Sequence, residues 1–202
     1  EAQGRIVGVV RRLEEAGAIV ISRGAGGGHI RFNMARGSIA SHISQFPVGT
    51  YKKAHRHGPG AHVIILDGSG YSLLWPEGKE MTRVDWKPGS IVVPPEGWFH
   101  QHFNSGAEPS RYLALKILSR KFKLQPGKIQ SDVPLAYGGW QIEYEDEDPE
   151  IRRMFDEECA KNGASAGDTC SDSATRRTRA FHHYTIGGDL TVEDTEVLEE
   201  RV

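Results

Sequence analysis

Five of the nine histidines fall between positions 55 and 102, and their spacing is regular. His55 and His57 flank Arg56. In an extended strand both imidazoles leave the same face, about 6 to 7 Å apart along the chain, close enough to serve one ion. His62 follows the segment Gly58-Pro59-Gly60-Ala61, which can bend or reverse the chain and return its imidazole to the same place. His100 and His102 form a second pair with the same period, leaving Phe99, Gln101 and Phe103 on the opposite face. Neutral imidazole is the commonest side-chain metal ligand, so the histidines at 55, 57, 62, 100 and 102 are aimed at one site that can hold a metal ion. A single histidine inside a barrel is usually a hydrogen-bonded core residue, and four at a repeated spacing rarely are. His102 is open to three roles: a further cavity residue, a donor behind the ligands, or a rim residue. His42 reads as core or cavity wall, and His29, His182 and His183 as surface.

The elements that must carry these side chains are short strands. From Ile39 to Leu118, apolar runs are cut by turn residues at intervals of about ten, the pattern of a sandwich or barrel. The runs predict strands at 39–46, 50–57, 61–66, 70–75, 80–86, 90–94, 98–103 and 111–118. Asp67-Gly68-Ser69-Gly70, Pro76-Glu77-Gly78-Lys79, Lys87-Pro88-Gly89 and Pro94-Pro95-Glu96-Gly97 supply the connections. Eight strands with these gaps predict an all-β jelly roll, with Val63, Ile65, Leu73, Ile91, Val93, Leu113 and Leu115 in its core. Residues 1–30 form an N-terminal extension, with one or two helical turns at 11–16 closed by Gly17 and a Gly-rich loop from Arg23 to His29. That loop lacks the Lys-Ser/Thr of a phosphate loop. The barrel spans 31–120, an arm and a helix occupy 121–163, and 164–202 reads as a linker-like tail. Asp148 as N-cap, Pro149 in the first turn and Gly163 as stop frame the helix, and Ile151, Met154, Phe155 and Cys159 make its packing face.

With those residues in place, the sequence resembles the cupin superfamily. The first cupin motif runs Gly, five residues, His-x-His, three or four residues, usually Glu, six residues, Gly, and Gly49, His55 and His57 meet it. His62 stands where the Glu is expected, and the last Gly is displaced to Gly68 or Gly70, with Ser69 at the aligned position. The second motif, Gly, five residues, Pro-x-Gly, two residues, His, three residues, Asn, is met throughout by Gly89, Pro95, Gly97, His100 and Asn104. The resemblance implies a double-stranded β-helix with a short N-terminal extension and a C-terminal helix. It also implies that His55, His57 and His100 are ligands to one divalent ion, with His62 in place of the carboxylate. An all-imidazole set leaves the ion more of its charge, which favours Fe(II) and an anionic or chelating substrate; Mn, Ni and Zn are the alternatives. Ring-cleaving dioxygenases of the gentisate and salicylate kind also lack the Glu, and the Arg56 within His-Arg-His is similar to theirs. The chain as a whole resembles the C-terminal cupin of longer, two-cupin bacterial proteins, which would account for a start at Glu1.

The functional expectation is an Fe(II) oxygenase acting on a small anionic or aromatic acid. The alternatives are a non-catalytic metal- or ligand-binding module, in which four imidazoles saturate the ion, and a cupin isomerase or lyase. Acid–base chemistry would call on His102 or Tyr51. Lys116, inside an otherwise apolar strand, can bind a substrate carboxylate if it faces inward, whereas Arg56 reads equally as an external salt bridge. Trp75, Trp86, Trp98, Phe99 and Phe103 fill a small barrel's core or line its mouth. The 25 basic and 27 acidic residues give a net charge of -2, which offers no global field for nucleic acid. Only Cys159 and Cys170 are present, no apolar run approaches membrane-spanning length and no secretory leader is visible, so the expected setting is cytoplasmic and off the membrane. An open-ended barrel with apolar strand faces is also expected to form a homo-oligomer.

Overall fold

The computed structural model describes residues 28–34, 39–58, 60–117, 131, 133–167 and 183–186. Ten strands and one α-helix follow the chain order: β1 (Gly28–Met34), β2 (Ile39–Phe46), β3 (Thr50–Tyr51), β4 (Ala61–Asp67), β5 (Gly70–Trp75), β6 (Thr82–Trp86), β7 (Ile91–Val92), β8 (Phe99–Asn104), β9 (Ser110–Ile117), α1 (Pro149–Lys161) and β10 (His183–Ile186). They build two sheets. The larger has the order β10-β1-β2-β9-β4-β7 and the smaller β3-β8-β5-β6. All pairings are antiparallel except β1 with β10. This is the expected all-β jelly roll, with the long-range pairing of β2 and β4 on either side of β9 closing the larger sheet.

Two apolar clusters hold the layers. Between the sheets, Phe46, Ala61, Val63, Ile65, Leu74, Trp86, Val92, Tyr112 and Ala114 pack together. On the far face of the smaller sheet, Tyr51, Tyr71, Leu73, Trp75, Phe99 and Phe103 pack against Ile151, Phe155 and Cys159 of α1. The smaller sheet is therefore covered on both sides, and every residue of β8 is buried. Burying both faces gives each set of β8 side chains its own interior: Phe99, Gln101 and Phe103 turn toward the α1 side, and His100 and His102 toward the space between the sheets.

Helix α1 is built as its termini predict. Asp148 accepts a hydrogen bond from the Glu150 amide at 2.9 Å, Pro149 opens the first turn, and Gly163 takes a φ of 68° just past the end. Arg83 of β6 ties the helix to the sheet through Glu158 at 3.0 Å and lies over the Tyr71 ring. Cys159 is buried in this seam, and burial pushes its thiol up to about 11; Cys170 lies outside the described residues.

Several sequence expectations shift. The Gly-rich stretch gives its last two residues, Gly28 and His29, to β1, and the described part of the tail is packed: the Gly167 amide donates to the Gly49 carbonyl at 2.7 Å. A Cβ on Gly49 would lie 1.9 Å from the Ser165 carbonyl oxygen, so the first-motif glycine is fixed by this crossing as well as by its φ of 67°. The helical turns at 11–16, most of the arm at 119–130 and most of the tail lie outside the described residues. Of the expected core, Val63, Ile65 and Leu73 are buried, but Ile91 is 61% and Val93 47% exposed, and Leu113 and Leu115 are half-buried. The reason is phase. Strand β9 turns Tyr112, Ala114 and Lys116 toward the interior, so its leucines take the outer face, and β7 turns only Val92 inward.

Candidate metal centre

The cavity between the sheets is built from alternate residues of four elements. Strand β2 contributes His42 and Ser44, β4 contributes Ala61 and Val63, β9 contributes Tyr112, Ala114 and Lys116, and β8 contributes His100 and His102. The segment after β3 adds Lys52, His55 and His57. Lys116 thus faces inward, as carboxylate binding would require.

The segment from 52 to 57 is held on both sides. On one side the Lys52 amide donates to the His102 carbonyl, and His55 and His100 exchange both backbone hydrogen bonds at 3.1 and 2.9 Å. On the other, the Arg56 amide donates to the Trp140 carbonyl at 3.0 Å and the Ile142 amide to the Ala54 carbonyl at 2.8 Å. The C-terminal arm, expected only as an irregular connector, is a backbone support for the histidine pair. Second-motif residues brace the remaining edges. The Gly97 amide, at a φ of 74°, donates to the His57 carbonyl, and Asn104 Nδ2 donates to the carbonyls of Pro47 and Glu108 at 2.9 and 3.0 Å. The displaced first-motif glycine has a local cause as well: Gly68 needs a φ of 79°, and a Cβ on Gly70 would sit 2.0 Å from the Phe103 carbonyl oxygen.

A one-residue bulge sets the phase of this segment. Thr50 and Tyr51 pair with Asn104 and Phe103, which in a regular antiparallel ladder would place residue 54 opposite His100; His55 stands there instead. The extra residue lets Lys52 and His55 both face inward, while Tyr51 and Ala54 join the cluster under α1. Tyr51, expected beside the site on a straight strand, therefore lies on the opposite face of the sheet. Its ring stacks on Phe103 at 4.8 Å and its hydroxyl bonds Glu147. Burial raises the Glu147 carboxyl above the ordinary carboxylate range, against the opposing effect of hydrogen bonds from Tyr51 and Gln101.

His55, His57 and His100 come together, with one ring nitrogen from each within 4.8 Å of the others. Ring centroids are 4.3 Å apart for His55 and His100, 4.8 Å for His57 and His100, and 5.7 Å for His55 and His57. His55 Nδ1 lies 3.2 Å from the Lys53 carbonyl and His100 Nδ1 3.2 Å from the Trp98 carbonyl. With the Nδ1 proton donated to a backbone oxygen, Nε2 of each ring presents its lone pair to the cavity, the arrangement that orients imidazole ligands. Three nitrogens bound to one ion at about 2.1 Å lie about 3.0 to 3.6 Å apart, so the triad has to draw together by about an ångström to close around an ion. Donor type, tautomer and spacing all fit a divalent metal, and this is the one such group among the described residues.

His62 does not join it. Strand β4 turns Ala61 and Val63 into the cavity, so His62 is exposed on the outer face of the larger sheet, opposite Leu115. The position that points inward after His-x-His is Ala61, and the site is a set of three imidazoles rather than four. His102 lines the cavity beside His100, and its Nδ1 lies 2.7 Å from Ser72 Oγ, which accepts from Trp86 Nε1 at 3.0 Å. Arg56 points away, paired with Glu77 at 2.8 Å and stacked over Phe99. His42 is cavity wall, edge-on to Tyr112. None of Trp75, Trp86, Trp98, Phe99 and Phe103 lines the cavity.

Lys52 is the inward residue that sequence periodicity missed. It is 4% exposed, its ammonium bonds the Ser44 hydroxyl and lies 3.3 Å from the Tyr112 hydroxyl, and it sits over the Phe46 and Tyr112 rings. On a straight strand Lys52 is out of phase with His55 and His57, and only the bulge brings it in. The available signal lay across the ladder in His102, which faces Lys52 and which alternation already sets on the same side as His100.

No family model and no curated protein matches the sequence. Among solved structures, it is similar to Bacillus subtilis oxalate decarboxylase in a study of that enzyme's Mn(II) centres, with 17% identity, 50% of this chain, 28% of the other and a TM-score of 0.45. The same enzyme at pH 4.6 matches with 17% identity over 50% of this chain and 27% of the other, at a TM-score of 0.44. The chain spans under a third of the length of these structures.

Proposed function

We propose that the chain is a metal-dependent cupin whose His55, His57 and His100 hold one divalent ion, Fe(II) by preference, for oxygen-dependent chemistry on a small anionic or aromatic acid. The observation that carries this reading is the convergence of three buried or half-buried imidazoles, with no carboxylate among the described residues that line the cavity. Such a neutral donor set leaves the ion its full charge, which draws an anionic substrate to it. Bound there, Fe(II) would supply a Lewis-acid centre and an accessible redox couple.

The chain's own residues orient and enclose. The Lys53 and Trp98 carbonyls fix the tautomers of His55 and His100. Three ligands rather than four leave positions open for substrate, which weighs against a saturated binding module. His102, held by Ser72, is the cavity group placed to accept or return a proton, and it keeps a lyase or isomerase as the second reading. Oxygen uptake by anaerobically reconstituted Fe(II) protein, run against a panel of small aliphatic and hydroxylated aromatic acids, tests the proposal. Substrate-dependent uptake supports it. Turnover that needs a metal but consumes no oxygen would move the assignment to the second reading.

A further inference from the structure

Three buried side chains on three neighbouring strands run in a line to the cavity wall. Ser72 of β5 stands directly opposite His102 of β8, and Trp86 of β6 lies diagonally across from Ser72, two residues beyond its direct partner Val84. All three are buried, Ser72 completely. The indole reaches Ser72 because Gly70, which pairs with Trp86, has no side chain: a Cβ there would lie 2.9 Å from a carbon of the Trp86 ring.

The protons on this line have one arrangement that leaves no donor stranded. An indole N–H only donates, so Trp86 Nε1, 3.0 Å away, occupies a lone pair of Ser72 Oγ. Ser72 then has a single proton to place, and His102 Nδ1, at 2.7 Å, is the acceptor within reach among the described residues. Were His102 Nδ1 itself protonated, Ser72 would accept twice and its own O–H would be buried without a partner. A neutral His102 with a bare Nδ1 carries its proton on Nε2. This is the reverse of His55 and His100, whose Nδ1 atoms face the Lys53 and Trp98 carbonyls, groups that can only accept. Those two rings turn a lone pair to the ion, whereas His102, which lines the same cavity with its ring centroid 5.8 Å from that of His100, turns an N–H to it.

Resting on the reading of the triad as a metal centre, we propose that Ser72, engaged by Trp86, fixes His102 as a hydrogen-bond donor to an anion bound at the metal, and not as a fourth ligand or a base. Ser72 is thus a positioning residue. Long-range proton–nitrogen correlation spectra of the isotope-labelled whole chain identify the protonated nitrogen of each imidazole, at about pH 8 where an ordinary histidine is neutral. The His102 signals are those lost in His102→Ala. His102 should be protonated on Nε2 with and without Zn(II), and His55 and His100 on Nδ1 in the zinc form. Ser72→Ala should bring in an Nδ1-protonated population, and Trp86→Phe, which frees the second lone pair of Ser72, should shift it in the same direction. Parent protein with His102 protonated on Nδ1 or on both nitrogens would overturn the proposal, as would a tautomer unchanged in both variants. Fluoride, which needs no more room than a water, tests the donor by calorimetry on the zinc form: His102→Ala should weaken it at least about tenfold with metal content unchanged. Equal fluoride affinity in that variant would remove the donor role. If the chain takes up no zinc, the metal reading fails by itself, and the metal-free spectrum still decides the tautomer.

Discussion

Single side chains decide whether this cavity is a reaction centre. The His-x-His and Pro-x-Gly-x-x-His spacings made His55, His57 and His100 visible in the sequence because period two in a strand translates directly into one face. His62 was misplaced for a related reason: Gly58 and Gly60 allow many ways for the chain to re-enter the barrel, and the pairing of Ala61 with Lys116, a contact more than fifty residues distant, selects the one in which Ala61 faces inward. His102 is expected to act on substrate rather than on the metal. His102→Ala should lower turnover by about 10- to 100-fold while leaving metal content unchanged, as metal analysis and steady-state rates on one preparation would read. Loss of metal in that variant would make His102 a ligand.

At the scale of the elements, the longer strands and the helix were legible, whereas the strands expected at 50–57 and 90–94 pair only over Thr50–Tyr51 and Ile91–Val92, and strand phase was not legible. Strands β2 and β5 fall on their predicted limits, and α1 carries its predicted cap, stop and buried face of Ile151, Phe155 and Cys159. The bulge between Tyr51 and His55 left no local mark, because Lys53 and Ala54 are unremarkable strand residues. Its phase change alone moved Tyr51 out of the cavity and Lys52 into it. Helix α1 seals the far face of the sheet that carries His100, so Phe155→Ala should cost about 3 to 5 kcal/mol in denaturant unfolding. A loss under about 1 kcal/mol would mean that the seam under the helix is not a core. Glu147 gives a pH signature in the same seam. Its folded pKa is raised above the reference 4.5, so the native state holds the proton more tightly, and stability falls as pH rises from 4.5 through the raised value and levels off above it. Glu147→Gln should remove that decline, so the urea midpoint of the variant relative to the parent should rise across this window. A constant difference would show that Glu147 titrates alike in both states.

Over the whole molecule, the larger sheet sets polar cavity-lining side chains beside the apolar cluster of Phe46, Val63, Ile65 and Val92 on its inner face, and leaves apolar ones exposed on its outer face. Its interior strands present His42, Ser44, Tyr112 and Lys116 to the cavity, while Ile39, Ile91, Val93 and Ile117 are 47 to 61% exposed on its outer side. This arrangement is why hydrophobicity alone named the wrong core residues in β7 and β9. An exposed apolar face of this kind is the expected contact between copies of the chain, so light scattering at micromolar concentration should give a dimer or larger species, and Ile91→Glu should shift it toward monomer. A monomeric parent protein would contradict this. No helix among the described residues is long and apolar enough to cross a membrane. The central claim, that three imidazoles from two elements form one metal site, is tested most directly by metal analysis of anaerobically purified protein and two variants. One ion per chain should be found in the parent and in His62→Ala, and most of it should be lost in His57→Ala; full metal content in His57→Ala would contradict the account and return the triad to a hydrogen-bonded polar core.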